Sequence, residues 1–309
     1  MISILMATYN GQDFVAEQIE SILGQSCQNY TLHIHDDASI DSTFDIIVRF
    51  AHKFPKKIIA TQSSINSGSA KYNFLDMMIS NKNDYVMLSD QDDIWLLDKV
   101  ERTLDRMKKM ESEFGADTPL LVHTDLRVVS QDATCITSPS FRVAMNSDFS
   151  RTMLKHQIIQ NTFTGCTVMY NRSLADLITK KPDFYVMHDW WLMLLASAFG
   201  KIAYLDSQTV LYRQHGKNVV GAYDVRRLTY KVNKLWRYNE ITKALAETYA
   251  QAQSLLDVYR DKLDDEQIEL LETYCLLPKM SKFERWRTIC RLGTHKNGLA
   301  RRIAHFIFI

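Results

Sequence analysis

Ile2 to Ala7 is an unbroken apolar run, closed by the polar turn Thr8-Tyr9-Asn10-Gly11. A run of that length ahead of an Asn-Gly pair predicts a buried strand and a sharp turn. Val15, Ile19, Ile22 and Leu23 then fall at helical spacing. Leu32 and Ile34 alternate with His33 and His35, and that strand ends in Asp36-Asp37. Ile46, Ile47 and Phe50 mark a second helix, and Ile58 and Ile59 a third strand. A polar loop, Asn66-Ser67-Gly68-Ser69, leads to a helix carrying Phe74, Leu75, Met78 and Ile79. The fourth strand, Tyr85 to Leu88, runs straight into Ser89-Asp90-Gln91-Asp92-Asp93. Strands alternating with helices at a steady interval predict an α/β domain. Its sheet should be mostly parallel, with helices on both faces. Such sheets bind ligands at the carboxyl ends of their strands. The first, second and fourth strands end in polar, turn-forming or acidic residues, which should converge on one crevice.

The second half has a different rhythm. Tyr230, Leu235, Tyr238, Ile241, Leu245, Tyr249, Leu256 and Tyr259 recur every third or fourth residue. Neither Pro nor Gly occurs from Ala222 to Leu277. The predicted organisation is an α/β domain over residues 1–218 and a helical appendage over 219–309. The appendage is also a candidate homodimer interface.

Composition adds limits. With 309 residues and 46% apolar content, the chain can bury one sizeable core plus an appendage. A net charge of +1 argues against a general nucleic-acid role. Cys27, Cys135, Cys166, Cys275 and Cys290 are scattered and form no Cys-x-x-Cys, so neither a disulfide framework nor a zinc site is suggested. That pattern fits a reducing cytoplasm. A chain opening directly on a strand predicts no signal peptide. No apolar run approaches the roughly 20 residues that span a bilayer. Asn29-Tyr30-Thr31 and Asn171-Arg172-Ser173 match the glycosylation sequon, which a cytosolic chain would leave unmodified.

The charge is unevenly spread. Residues 278–309 hold eight Lys/Arg against the single acid Glu284, whereas the remainder holds 29 bases and 35 acids. Trp286, Ile289 and Cys290, then Leu299, Ile303, Phe306 and Ile307, lie at helical spacing among those bases. Basic and apolar faces together predict a helix at an anionic membrane surface. The plainer alternative is a terminal helix packed on the body with its bases solvated.

Asp90, Asp92 and Asp93 carry the strongest chemical signal. Three carboxylates at a strand end repel one another unless a cation intervenes. A hard divalent ion such as Mg²⁺ or Mn²⁺ takes oxygen ligands and can also grip a diphosphate. The stretch therefore predicts a metal-assisted enzyme acting on a nucleotide-activated substrate. Its plain alternative is a solvated acidic turn that caps the next helix.

These motifs, in this order, resemble a family 2 glycosyltransferase of the GT-A fold. The matching residues are Ala7 to Gly11, Glu17 to Gln25, Asp36 to Ser39, Asn66-Ser67-Gly68 and Ser89 to Asp93. Further along, Thr164-Gly165-Cys166 and His188-Asp189-Trp190-Trp191 also fit, and the likeness covers about residues 1–218. The bacterial rhamnosyltransferase type is the nearest subgroup. Its flavour is carried by Ser89 to Trp95, Met187 to Trp191 and Tyr212 to Gly221, and it is most similar to the streptococcal α-1,3-rhamnosyltransferases of cell-wall rhamnan synthesis.

The resemblance implies roles. Thr8, Tyr9 and Asn10 would seat the nucleotide, with Glu17, Asn66, Gly68 and Gln91 around the donor. Asp36 or Asp37 would accept the imide N–H of uracil or thymine, although the pair also fits a capping turn. Lys71 would reach the diphosphate, although Lys71-Tyr72-Asn73 departs from the Arg-Asn pair that the family often has there. Asp92 is the implied metal ligand, with Asp90 nearer the ribose or a metal-bound water and His215 a second ligand or a donor to the diphosphate. Asp93 would cap a helix starting near Trp95, and Arg213 would clamp the diphosphate. Asp189 would be the catalytic base of an inverting transfer, since the preceding position holds His188 rather than an acid. Gly165, Trp190 and Trp191 would face the acceptor, one of the two indoles serving as a core anchor.

The expected donor is dTDP-β-L-rhamnose, whose inversion gives an α-linkage, and the expected acceptor is a lipid-linked saccharide. Mn²⁺ or Mg²⁺ is the expected cofactor. The expected place is the inner face of the plasma membrane, reached from the cytoplasm. Alternatives are a UDP-hexose transferase of capsule or O-antigen synthesis, a sugar nucleotidyltransferase and a dead binding module. Asn10-Gly11-Gln12-Asp13 lacks the basic loop of a nucleotidyltransferase. Retention of Asp90, Asp92 and Asp189 argues against a dead module.

Overall fold

The computed structural model of the protein describes residues 1–215 and 238–309. The expected boundary at 218, the Gly216 to Gly221 stretch and the helical positions Tyr230 and Leu235 lie outside the described residues. The described residues form two compact units. One contains residues 1–141, 163–180 and the strand that follows Gly200. The other contains residues 142–162 and 181–199 with the helices from residue 238 onward.

The first unit holds the sheet. β1 (Ile2–Thr8) is buried along its whole length, as a strand covered on both faces must be. It runs parallel to β2 (Tyr30–Asp36) on one side and to β4 (Tyr85–Ser89) on the other, and β3 (Ile58–Gln62) lies parallel to β2. Thr8 pairs with Asp36 and Met6 with Ser89, so the carboxyl ends of β1, β2 and β4 share one sheet edge. In β2 the apolar residues are buried and His33 and His35 half-buried, the alternation expected beside an edge strand. The flanking helices Val15–Leu23 and Ala70–Ser80 bury Val15, Ile19, Ile22, Phe74, Leu75 and Met78. Each such side chain contributes about 2 kcal/mol of burial.

Beyond β4 the sheet becomes mixed. Its order is β3-β2-β1-β4-β8-β6-β9-β5, where β5 is Ile94–Trp95, β6 Leu120–Val129, β8 Val168–Asn171 and β9 Lys201–Arg213. β7 (Ile136–Ser138) pairs with β6. β8 is antiparallel to both β4 and β6, β6 is parallel to β9, and β5 is antiparallel to β9. The expectation of a mostly parallel sheet holds for β1–β4 and gives way to mixed pairing after them. The expected helix near Trp95 is a second correction. Ile94 and Trp95 pair with Leu211 and Val210 as a strand, and the helix begins at Lys99 with Asp98 at its N-cap position. Asp93 therefore caps no helix.

The second unit is helical. The regular apolar rhythm is divided into Tyr238–Tyr259 and Asp265–Leu276. Asp264 ends the continuity, because it forms a capping box with Gln267 that starts a new helix. Ser281 and Glu284 form a second capping box ahead of Lys282–Leu292, which ends on Gly293 at φ +70°. Leu299–Phe308 follows. The helix His188–Phe199 belongs to this unit and buries Trp191, Leu192, Leu194 and Leu195 completely. Backbone N–H groups of Phe184 and Val186 donate to Ser254 Oγ and Gln251 Oε1, tying that segment to Tyr238–Tyr259. Among the described residues no helix is long and apolar enough to cross a membrane.

Candidate active site

Two loops meet at the shared sheet edge. Gln91 reaches back to the turn after β1, where its Oε1 accepts from Tyr9 N at 2.9 Å and its Nε2 donates to Tyr9 O at 3.0 Å. Gly11 lies beneath it, and an added Cβ would sit 2.3 Å from Gln91 Oε1 and displace the Gln91 amide from Tyr9. Asn10 adopts φ +46° there, and its side-chain oxygen accepts from Ile40 N. Tyr9 remains 45% exposed, so its ring is free of the core and available to a ligand.

Asp92 and β9 make the second junction. His215 Nε2 lies 2.8 Å from Asp92 Oδ2, and the imidazole stacks on Phe14 at 4.7 Å. Arg213 is buried, with its side chain only 4% exposed. Its Nε donates to Asp92 O at 3.0 Å, its Nη1 to Gln131 O at 2.8 Å, and its Nη2 meets Glu17 at 2.6 Å. A guanidinium held at three positions braces the acidic loop from below. The expected diphosphate clamp is thus, in this arrangement, a support for the backbone of Asp92.

Asp93 turns inward. It is fully buried, and neither carboxylate oxygen makes a hydrogen bond of ordinary geometry, although the Cys166 thiol and the Arg213 backbone N–H approach it. Burial raises its affinity for a proton well above the usual carboxylate range, and the charges of Asp92 and Asp90 add to the effect. Asp90, Asp93 and Cys166 each bring a potential ligand atom within 4.8 Å of the others. Burial also pushes the Cys166 thiol up, which keeps it protonated and makes it a poor ligand for a hard cation. Carboxylates with an imidazole fit Mn²⁺ or Mg²⁺ better. With burial favouring the protonated form of Asp93, the ligands left to a divalent ion nearby are Asp90 and Asp92 with His215.

Beneath this cluster lies a residue absent from the sequence-level expectations. Lys99, fully buried, donates to Cys166 O at 2.9 Å and to Thr209 Oγ1 at 3.4 Å, with its ammonium 4.6 Å from the Trp95 ring centroid. Burial lowers it to about 8, while its neighbours Cys166 and Asp93 pull it the other way. Its one sequence signal was electrostatic: a lysine in the first turn of a helix opposes the helix dipole.

The loops after β2 and β3 are self-contained. Asp36 is completely buried and accepts from Thr8 Oγ1, Ser39 N, Ser39 Oγ and Gln62 Nε2. All four acceptor directions are engaged, so Asp36 builds the turn and does not present itself to a base. Asp37 accepts from Ser67 N at 2.9 Å, Ser67 Oγ at 2.7 Å and Asn66 Nδ2 at 3.2 Å. It thereby fixes the loop in which Gly68 adopts φ +83°. Lys71 lies in the first turn of the next helix, 4.9 Å from the Tyr72 ring centroid.

Gly165 and Cys166 sit in a buried single turn just before β8. In the helical unit, Asp189 lies in the first turn of its helix. Its Oδ2 accepts from Asn161 Nδ2 at 3.3 Å and its Oδ1 from Trp190 N at 2.6 Å. Trp190 is half-buried and donates Nε1–H to Gln157 O at 2.7 Å. Trp191 is fully buried beside Tyr185 and Tyr259, as a core anchor. Burial drives His188 down to about 3, so its imidazole is neutral.

The sequence profile of glycosyl transferase family 2 matches residues 3–177. The chain is 30% identical to the dTDP-rhamnosyl transferase RfbG of Shigella flexneri over 254 residues, 77% of this chain and 82% of that protein. Among solved structures, S. aureus TarS 1–349 in complex with UDP superposes with a TM-score of 0.56 at 14% identity, covering 91% of this chain and 73% of that one. The mannosyltransferase PcManGT from Pyrobaculum calidifontis, in complex with GDP-Man and Mn²⁺, gives 0.52 at 16% identity, covering 94% and 84%. At such identities the structural likeness speaks for the GT-A fold alone.

Proposed function

The chain belongs to glycosyl transferase family 2, and from that premise we propose an inverting transfer of L-rhamnose from dTDP-β-L-rhamnose. The acceptor in this reading is a hydroxyl of a lipid-linked saccharide at an anionic membrane surface, in bacterial cell-surface polysaccharide synthesis. The observation that carries the donor half is the acidic loop after β4, clamped to the β1 turn through Gln91 and Tyr9 and to β9 through Asp92 and His215. Asp90, Asp92 and His215 would hold a divalent ion there, whose charge would neutralise the departing diphosphate. Tyr9, Asn10 and Asp37 line the nucleotide side, with Asp36 and Arg213 supporting them from the interior.

Asp189 is the base. It takes the proton of the acceptor hydroxyl while that oxygen bonds to the anomeric carbon and the bond to the diphosphate oxygen breaks. The sugar passes through an oxocarbenium-like state, as in glycoside hydrolysis. Asn161 and the Trp190 N–H hold the carboxylate in one orientation. The relative named a dTDP-rhamnosyl transferase supports rhamnose over other hexoses. A donor screen tests this: dTDP-L-rhamnose, UDP-glucose and UDP-GlcNAc are each offered with Mn²⁺ and a lipid-linked or synthetic acceptor, and products are read by mass. Rhamnosyl product is expected. Transfer from a UDP-sugar alone would replace the donor while leaving the reaction type intact.

A further inference from the structure

We propose that the helices Lys282–Leu292 and Leu299–Phe308 together form a docking surface for an anionic lipid bilayer, with their apolar stripes turned outward. A helix packed only for stability turns its apolar stripe to the core. In Leu299–Phe308 the sense is reversed. Leu299, Ile303 and Ile307, four residues apart, are 74%, 51% and 50% exposed, while the side chain the helix buries is His305. The preceding helix buries Ile289 but leaves Phe283 75% and Trp286 41% exposed.

The two stripes are joined. Trp286 Nε1 donates to Phe306 O at 2.7 Å, and the two rings meet edge-on at 6.4 Å. Lys282 Nζ donates to Ile307 O at 3.1 Å. The exposed apolar residues are therefore parts of one helical pair rather than scattered surface positions. An exposed Trp whose N–H is satisfied on its own scaffold is suited to the boundary between headgroups and acyl chains.

Charge selects the occupant. Residues 278–309 carry eight bases and one acid, and Arg287, Arg291 and Arg302 are exposed on these same helices. A second copy docked by the same face would set two strongly positive surfaces together. Anionic headgroups offer the opposite sign, and beneath them lies an apolar layer for Phe283, Leu299, Ile303 and Ile307. The inference rests on the lipid-borne acceptor proposed above for its purpose, but not for its geometry.

The test uses the full chain and sucrose-loaded vesicles of phosphatidylcholine, with or without phosphatidylglycerol. Sedimentation with the anionic vesicles at low salt, and release at high salt, is expected. Arg287→Gln/Arg291→Gln/Arg302→Gln should lower partitioning at least tenfold, since each base near such a surface is worth roughly fivefold. Ile303→Ser/Ile307→Ser should lower it too, although the charge is unchanged. Both variants alter exposed side chains, so thermal melting and donor hydrolysis should stay as in the parent. No sedimentation of the parent at low salt, or equal sedimentation of parent and variants, overturns the proposal. A concentration-dependent dimer that the Ile variant abolishes would also overturn it, assigning the face to a second copy. The donor screen reads the chemistry separately, so failure of one leaves the other standing.

Discussion

His215 Nε2 and Asp92 Oδ2 lie 2.8 Å apart although 123 residues of chain separate them. The contact brings the end of β9 onto the acidic loop after β4. It also gives the imidazole a fixed orientation between Phe14 and the carboxylate. A side chain held that way can exchange its bond to Asp92 for shared ligation without reorganising the loop.

His215→Gln should therefore weaken Mn²⁺-dependent donor binding about tenfold, in the range seen when groups orienting a metal ligand are lost. Asp92→Ala should weaken it further. Calorimetric titration of the donor with and without Mn²⁺ reads both. Full transfer after thorough chelation would remove the metal from the scheme and leave Asp92 and His215 as a structural pair.

Asp189→Asn should cut turnover by about 10² to 10⁴, the usual contribution of a general base. Donor affinity should stay within a few-fold, because a base acts in the chemical step. Asparagine keeps one oxygen to accept from Trp190 N, and its amide nitrogen would face Asn161, whose own amide can turn its oxygen toward it. Loss of donor binding in a folded variant would move Asp189 to the nucleotide side.

Much of this was legible in the chain. Unbroken or alternating apolar patterns identified β1, β2 and β4, because burial on one or both faces leaves a regular trace. β5 was not legible, since two residues carry no period and their pairing depends on β9, more than a hundred residues later. That unseen strand is why Asp93 read as a helix cap. The breadth of β6 and β9, and the mixed pairing they impose, likewise comes from long-range contacts. Acid residues were easy to find and hard to rank: Asp36 and Asp92 look alike in sequence, yet one is closed on four internal donors and the other meets a histidine.

Acid should destabilise the fold before the carboxylates titrate. Burial holds His123 at about 4 and His188 at about 3, below the value of about 6.5 expected in the unfolded chain. As pH falls the unfolded chain takes up protons first. The stabilisation is complete above about 6.5 and is lost progressively toward 4 and below. Each histidine contributes at most roughly 3 to 5 kcal/mol across that window. The urea midpoint should fall clearly between pH 7 and pH 5, and a flat profile there would mean that both rings find proton acceptors.

Lys99 and Asp93 should prove energetically coupled. Lys99 is fully buried under the acidic loop, and the Asp93 charge acts to keep its ammonium protonated. Burial and the neighbouring acids favour a proton on Asp93, while the Cys166 thiol and the Arg213 backbone N–H act the other way, so the ammonium beneath it adds to what favours its ionised form. Lys99→Met fills similar space but removes that charge and the donor to Cys166 O. A loss of about 3 kcal/mol is expected, as when one member of a buried charged pair is deleted. Asp93→Asn removes the carboxyl group on which the ammonium acts, so part of the cost of losing Lys99 should disappear in that background. The coupling from a double-mutant cycle in urea should then exceed about 1 kcal/mol. Strict additivity would instead reduce Lys99 to a tether, acting through its bonds to the Cys166 carbonyl and Thr209 Oγ1.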